Sequence, residues 1–386
     1  MNIFHVFPIW SISSGGGTTW LIYELAKYQT KENNVTILTG SYCFDNDLKT
    51  EAEKLGIKVK VYKSYFNKLG LYLMPGLLFE NKIFKANTIF HFHLFRSFQN
   101  LVILLKIRNK KTPCIIDAHG SIPTHNIKPL KKIVFDFFFK KFIVRNIKYF
   151  IAENNLSHKE CESIGVPKEK IKIINPPFPI HEFEDVKNLN VLKRKFNIQS
   201  KHIVLYFGRL HYIKGIDILI KGFEALSKKR DDIHLVIMGG DDGYRSNLIK
   251  LTNELKIADK ITFTGFIMGK EKLSVIKEAT VCVQTSRYEQ GAGAPFESVL
   301  IGTPIIVSDN SGSAEDVMRA DGGYLTKFDD TEDLASRLNY VIENLNEAKR
   351  KTSKAAQKIK TNQSFLNTIV KYQKIYELSI ETKSSH

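Results

Sequence analysis

With 386 residues, 43% of them hydrophobic, the chain is long enough for two α/β domains with separate cores and too apolar for a disordered protein. Its formal charge of +17 is concentrated early, with 26 Lys and Arg against 13 Asp and Glu up to Ile180, which suits an anionic partner (nucleic acid, bilayer or phosphorylated substrate) or a solvated lysine-rich surface. Cys43, Cys114, Cys161 and Cys282 are far apart and form no C-x-x-C pair, which argues against a disulfide framework or zinc ribbon and points to a reducing cytosol.

Met1 leads straight into an apolar strand with no basic n-region, so no secretory signal is expected, and no run reaches the ~20 apolar residues of a membrane span. In the first half, short apolar runs predict strands at Asn2 to Phe7, Val35 to Thr39, Ile57 to Tyr62, Thr88 to His93, Cys114 to Ala118, Tyr149 to Glu153 and Lys172 to Ile174. Helix-like patterns such as Thr18 to Gln29 and Phe98 to Ile107 fall between them, and this alternation reads as a parallel sheet covered on both faces. Asn175-Pro176-Pro177-Phe178-Pro179 breaks the pattern, because so many prolines sustain neither a helix nor a central strand. Beyond it the alternation restarts with strands at His202 to Phe207, His234 to Met238, Ile261 to Thr264, Val281 to Gln284 and Pro304 to Val307. Two Rossmann-like halves are expected to face each other across a cleft at the carboxyl ends of their strands. Gln363 to Ile380 carries a helical apolar rhythm and no following strand, so it is expected to pack back across the domains.

Several strand-to-helix turns carry chemistry. Gly15-Gly16-Gly17 opens the first helix, where free amides suit phosphate or a close-lying substrate. Thr39, Gly40 and Ser41 stand where a dinucleotide fingerprint would need an acid, which disfavours NAD. Asp117-Ala118-His119-Gly120 ends another strand and offers His119 as a polar ligand contact. His91 and His93 share one face of a strand with no carboxylate or cysteine nearby in sequence, and read as structural, as does His125. Asp45-Asn46-Asp47 reads as a turn rather than a metal site.

In the second half, Gly208-Arg209-Leu210-His211-Tyr212-Ile213-Lys214-Gly215 presents two fixed cations at a strand's carboxyl end, suited to a diphosphate. Gly239 to Gly243 and Gly265-Phe266-Ile267 end the next two strands. In Thr285 to Pro304, Glu289 precedes a helix start and Glu297 is expected in its first turn, with Pro295 at the first helical position and Gly302 and Pro304 as the stop. Two acceptors around free helix amides suit a phosphorylated sugar. Ile133 to Phe150, with Phe135, Phe137, Phe138, Phe139 and Phe142 set among lysines, and Leu69 to Phe79 read equally as elements lying on an anionic bilayer or as packing against the sheet.

These residues together resemble the retaining glycosyltransferases of the large family four (group 1), over essentially the whole chain. The resemblance rests on Gly15 to Gly17, the Gly208-Arg209 to Lys214-Gly215 motif, the Glu289-x7-Glu297 spacing, and Ile164-Gly165-Val166-Pro167 to Ile174-Asn175-Pro176. It implies the GT-B fold, with an acceptor-binding domain at 1–175, a linker at 176–190, a donor-binding domain at 191–362 and a crossing helix and tail at 363–386. It further implies that Gly208, Arg209 and Lys214 bind the donor diphosphate, Glu297 the ribose, Glu289 with Gly291, Ala292 and Gly293 the sugar, and Gly265 to Ile267 the base. Arg209, Lys214, Glu289 and His119 would be the catalytic group, and Gly15, Gly16 and Gly17 the acceptor or phosphate loop, with no metal or other cofactor. One departure stands out: the family commonly has an aromatic residue and then glycine at the second and third positions after the first glutamate, where this chain has Gly291 and Ala292.

The expected activity is transfer of a hexose or N-acetylhexosamine from a UDP- or GDP-linked donor to an acceptor hydroxyl. The basic first half suggests a lipid-linked saccharide in surface polysaccharide assembly (lipopolysaccharide among such products), with the enzyme cytoplasmic or peripheral on the inner membrane face. Two other readings stay open: a nucleotide-sugar epimerase of the same fold, which turns over donor without acceptor, and a non-catalytic basic binding module. Against nucleic acid as partner, no nucleic-acid motif is present.

Overall fold

The apolar runs of the first half fold into a seven-stranded parallel sheet whose inner strands are buried on both faces, which is the pattern of strands covered by helices on either side. A computed structural model describes residues 1–66, 72–108, 112–123, 129–289, 291, 293–362 and 365–381. The chain divides into two units, Met1–Pro177 with Phe365–His386, and Phe178–Ser364.

In unit 1 the elements run β1 (Asn2–Val6), α1 (Ile12–Gln29), β2 (Asn34–Gly40), α2 (Asn46–Lys54), β3 (Lys58–Tyr62), α3 (Gly76–Phe79), β4 (Thr88–Phe92), α4 (Phe98–Ile107), β5 (Cys114–Asp117), α5 (Pro129–Asn146), β6 (Tyr149–Ala152), α6 (Asn155–Ser163) and β7 (Ile171–Ile173). The strand order is β3-β2-β1-β4-β5-β6-β7, so the order reverses between β1 and β4, where His5 lies opposite His91. Asp45 caps α2 by accepting from the Leu48 amide at 3.0 Å, the role of a turn and cap residue. The bilayer-or-sheet stretch Leu69 to Phe79 and the residue His125 lie partly or wholly outside the described residues.

Unit 2 runs α7 (Val191–Phe196), β8 (His202–Phe207), α8 (Ile216–Ser227), β9 (Ile233–Met238), α9 (Arg245–Glu254), β10 (Ile261–Gly265), α10 (Gly269–Glu278), β11 (Val281–Gln284), α11 (Gly293–Ile301), β12 (Ile305–Ser308), α12 (Gly312–Ala320), β13 (Tyr324–Thr326), α13 (Thr331–Glu343) and α14 (Leu345–Asn362). Its sheet is parallel in the order β10-β9-β8-β11-β12-β13, with the reversal between β8 and β11. Each unit is thus Rossmann-like. The short β13 is an addition to the strands that the sequence suggests.

The last helix, α15 (Phe365–Glu381), returns to unit 1. Its apolar rhythm finds Ile3, Leu21, Leu25, Ile89, Ile115 and Ile151, and Phe365 stacks on Tyr28 with ring centres 5.6 Å apart. Tyr372 and Tyr376 are buried with their hydroxyls bonded, to Asp117 Oδ2 at 2.7 Å and to His91 Nδ1 at 2.9 Å, as buried tyrosines require.

Candidate donor and acceptor sites

Because every strand in each sheet is parallel, all the loops singled out in sequence leave the same edge of their own sheet. In unit 2 the β8–α8 and β11–α11 loops stand at the point where the strand order reverses, the usual ligand position in such a sheet. They are tied together by main chain and side chain. Arg287 N donates to Ile213 O at 2.9 Å, and Thr285 Oγ1 donates to Gly215 O at 2.8 Å. Across this seam Lys214 and Glu289 form an ion pair with both side chains largely buried. The glutamate's own carbonyl accepts from Gly312 N at 2.7 Å, which fixes the loop from the α12 side as well.

Arg209 is held differently. Its guanidinium is exposed and lies 2.5 Å from Asp242 Oδ2 on the loop after β9. Exposed pairs are worth about 0–1 kcal/mol, so exchanging that carboxylate for a phosphate costs little. The backbone below it is fixed by Tyr206, whose hydroxyl donates to Arg209 O at 3.0 Å, and by Leu210 N bonding to Gly240 O at 2.8 Å.

The helix after Glu289 begins earlier than the sequence suggests. α11 starts at Gly293, so Pro295 is its third residue and Glu297 stands beyond the first turn. Proline is still tolerated there, because the first four amides of a helix have no partner within it. Glu297 does not pair with the elements that hold Glu289. Lys272 of α10 brings its ammonium 2.5 Å from Glu297 Oε2. The two glutamates therefore serve two lysines, Lys214 and Lys272, on different elements. Gly265 ends β10 with a φ of 72° and its carbonyl accepts from Gly239 N at 2.9 Å; Phe266 beside it is exposed, while Ile267 packs on the core. Ala292 lies outside the described residues, and Gly291 is half-buried in the loop before α11.

A further charged pair in this region carries no signal in the sequence motifs. Arg287 grips Asp217 through two bonds, at 2.7 and 2.6 Å, and its guanidinium lies 4.0 Å from the centre of the Tyr212 ring. A planar fork on a carboxylate and an aromatic face is a positioning device that locks α8 to the β11 loop.

In unit 1, Gly15, Gly16 and Gly17 fall inside α1 rather than before it. The helix is broken at Gly16, whose φ of 58° and ψ of −142° only glycine adopts easily. Ser11 precedes the helix in extended backbone. Thus the glycines supply a kink at the carboxyl end of β1.

His119 stands at the end of β5 with a φ of 43°, and both ring nitrogens are engaged. Nδ1 lies 2.9 Å from Glu153 Oε1 and Nε2 lies 3.0 Å from His93 Nδ1. The chain continues from His93 Nε2 to His5 Nδ1 at 2.8 Å and from His5 Nε2 to Gln29 Oε1 at 2.7 Å. His91 and His93 are buried and bonded within the fold, His91 to Tyr376 and His93 to His119 and His5. His5, which sequence reasoning passed over, joins them in a buried polar spine, and its register opposite His91 depends on β1 pairing with β4.

Burial dominates the protonation of this spine. It lowers His5 to about 4 despite the bond to Gln29, and it holds His91 and His93 well below the ordinary imidazole range, reinforced by neighbouring imidazoles. His119 is also buried, but the Asp117 and Glu153 carboxylates outweigh that burial and raise it. Asp117 is pushed up to about 6 by burial, against the pull of His119 and the Tyr372 hydroxyl. Burial thus disfavours charge on His5, His91 and His93, while the carboxyl groups beside His119 favour its charged form.

Residues 190–359 match the family model described as "Glycosyl transferases group 1". An uncharacterized glycosyltransferase, MJ1069, from Methanocaldococcus jannaschii is 27% identical over 96% of this chain and 97% of its own length. The O-antigen chain mannosyltransferase RfbU of Salmonella typhimurium is 24% identical over 65% of this chain and 71% of its own. Among solved structures, Anabaena Alr3699/HepE in complex with UDP superposes with a TM-score of 0.80 at 17% identity, covering 98% of this chain and 100% of the other.

Proposed function

We propose that this chain, a group 1 glycosyltransferase with the GT-B fold, moves a hexose or N-acetylhexosamine from a nucleoside diphosphate donor to an acceptor hydroxyl with retention at the anomeric carbon. The observation that carries the reading is the Lys214–Glu289 pair, which sets a cation and a carboxylate side by side where the order of the second sheet reverses. Such a site suits a ligand with an anionic half and a hydroxyl-bearing half.

In this reading unit 2 binds the donor. Arg209 gives up Asp242 and, with Lys214, neutralises the charge that grows on the leaving diphosphate, as preorganised donors do in other acyl and phosphoryl transfers. Glu289 and the amides of Gly291 and Gly293 take the sugar, Glu297 the ribose, and the Gly265 to Ile267 loop the base. The cation pair does the neutralising, so the reading calls for no metal ion. Departure of the diphosphate and attack occur on the same face, with a leaving phosphate oxygen accepting the acceptor's proton. That step breaks the bond from the anomeric carbon to the phosphate oxygen and forms one to the acceptor oxygen.

Unit 1 takes the acceptor. Both nitrogens of His119 are already engaged, so a contact with the sugar requires one of those bonds to be exchanged for a sugar hydroxyl. UDP accompanies the Anabaena protein, UDP-glucose a further structure of it, and the Salmonella relative is called an O-antigen chain mannosyltransferase; these support a nucleotide-linked sugar donor, and the basic first half favours a lipid-linked saccharide as acceptor.

Incubation with UDP- and GDP-hexoses and lipid-linked saccharides, followed by proton NMR of the product, tests the reading. The expected result is an acceptor-dependent product whose anomeric configuration matches the donor. Inversion would remove the same-face mechanism, and conversion of donor with no acceptor present would favour an epimerase.

A further inference from the structure

On α5, Leu130, Ile133, Val134, Phe137, Phe138 and Lys141 follow the i, i+3, i+4, i+7, i+8, i+11 spacing of one helix face, and that face is turned to solvent. Phe137 is 83% exposed, Leu130 73% and Phe138 65%. The inward side is complete without them: Ile143 is buried in the core of unit 1, and Phe135 and Phe142 pack against it. The helix is therefore apolar on both sides, one side packed on the core of unit 1 and the other left to solvent.

The neighbouring helices extend the surface. α4 packs against both α3 and α5, and it exposes Leu105, while α3 exposes Leu78 and 82% of Phe79. Lys106 donates to Leu78 O, which ties α3 to α4. Contiguous exposure of this kind is unusual for a surface that meets only water.

Charge selects the occupant. Lys131, Lys141 and Arg145 are exposed on α5, Arg108 beyond α4, and Lys82 and Lys85 beyond α3. The single acid of α5, Asp136, is turned inward onto Arg96, with bonds of 2.8 and 2.5 Å. Glu80, the acid next to Phe79, is taken up by Lys60 at 3.0 Å and Tyr62 at 3.2 Å. The helices that carry the apolar face, and the segments that follow them, thus bring exposed cations, while the acid of α5 and the one beside Phe79 are already paired.

We propose that α3, α4 and α5 of unit 1 form a docking surface for an anionic lipid bilayer, with Phe79, Leu130, Phe137 and Phe138 entering the interface and the lysines meeting lipid phosphates. Aromatic and aliphatic side chains set among lysines are the composition of helices that lie in the headgroup layer. The link from this surface to a lipid-linked acceptor rests on the function proposed above, but docking itself does not.

Flotation with vesicles of phosphatidylglycerol and phosphatidylcholine, against phosphatidylcholine alone, tests the surface with the full chain. The wild type is expected to float with the anionic vesicles and to lose binding at least ~10-fold as Phe137→Asp/Phe138→Asp and as Lys131→Glu/Lys141→Glu, each with unchanged melting, since all four side chains are exposed. Three results would overturn it: no flotation of the wild type, equal flotation of the variants, or a wild-type dimer that the Phe137→Asp/Phe138→Asp change converts to monomer, which would assign the face to a second copy. Flotation needs no acceptor, so its failure and that of the transfer assay are separately visible.

Discussion

Replacing Arg209 or Lys214 by alanine is expected to slow sugar transfer by ~100- to 1000-fold, the usual cost of removing one preorganised group that stabilises developing charge, ~2.7–4 kcal/mol. The two variants should differ in everything except that loss. Arg209 is exposed and its partner Asp242 is exposed too, so Arg209→Ala leaves a single solvated carboxylate and an unchanged melting temperature. Lys214 is largely buried against Glu289, and its removal strands a carboxylate that was placed to be neutralised. Lys214→Ala should therefore also melt earlier, and Glu289→Gln in the same chain should recover part of that stability without recovering the rate. Steady-state kinetics and thermal melting on the three variants read both effects. Wild-type rates in both single variants would mean that the diphosphate is bound elsewhere.

Gly215→Ala is expected to destabilise unit 2 by roughly 3–5 kcal/mol, for two independent reasons. Gly215 has a φ of 62° and a ψ of 28°, a left-handed conformation in which a side chain is strained. A Cβ built there would also sit 2.0 Å from the carbonyl oxygen of Thr285, a main-chain atom on the loop that carries Glu289. Neither β11 nor α8 can give way cheaply, because the same contact holds the Thr285 hydroxyl on Gly215 O and the Arg287 amide on Ile213 O. For a unit of this size the melting temperature should fall by roughly 6–20 °C. A fall of less than about 2 °C would show that the seam between the two loops is loose.

The sheets were largely legible in the sequence because parallel strands covered on both faces read as unbroken apolar runs, as in His202–Phe207 and Val281–Gln284. β13 was not, since three residues, Tyr324 to Thr326, after two glycines carry no periodicity to detect. The cations of the β8–α8 loop could be placed at a strand's end from spacing alone. Their partners could not, because Lys214 meets Glu289, Arg209 meets Asp242 and Glu297 meets Lys272 only through the order of the strands. His5 was illegible for the same reason. A lone histidine in an apolar strand gives no sign of partners on β4, 88 residues away, until the strands are paired. Likewise, the tyrosines of α15 read as part of an apolar stripe, while their hydroxyls bond to Asp117 and His91. Local chemistry is written in the chain, and the long-range polar pairs are written in the topology.

In the proposed function, unit 2 holds a nucleoside diphosphate sugar on the seam between the β8–α8 and β11–α11 loops. The most direct measurement is the thermal shift of the full chain with a panel of UDP- and GDP-hexoses and N-acetylhexosamines. At a hundredfold excess over Kd a bound donor adds ~2.7 kcal/mol, which for a unit of this size raises the melting temperature by roughly 5–11 °C. At least one such donor is expected to give this shift with the wild type, and Arg209→Ala, which melts normally on its own, is expected to lose most of it. No shift with any UDP- or GDP-sugar, or an equal shift in Arg209→Ala and Lys214→Ala, would contradict the proposed function.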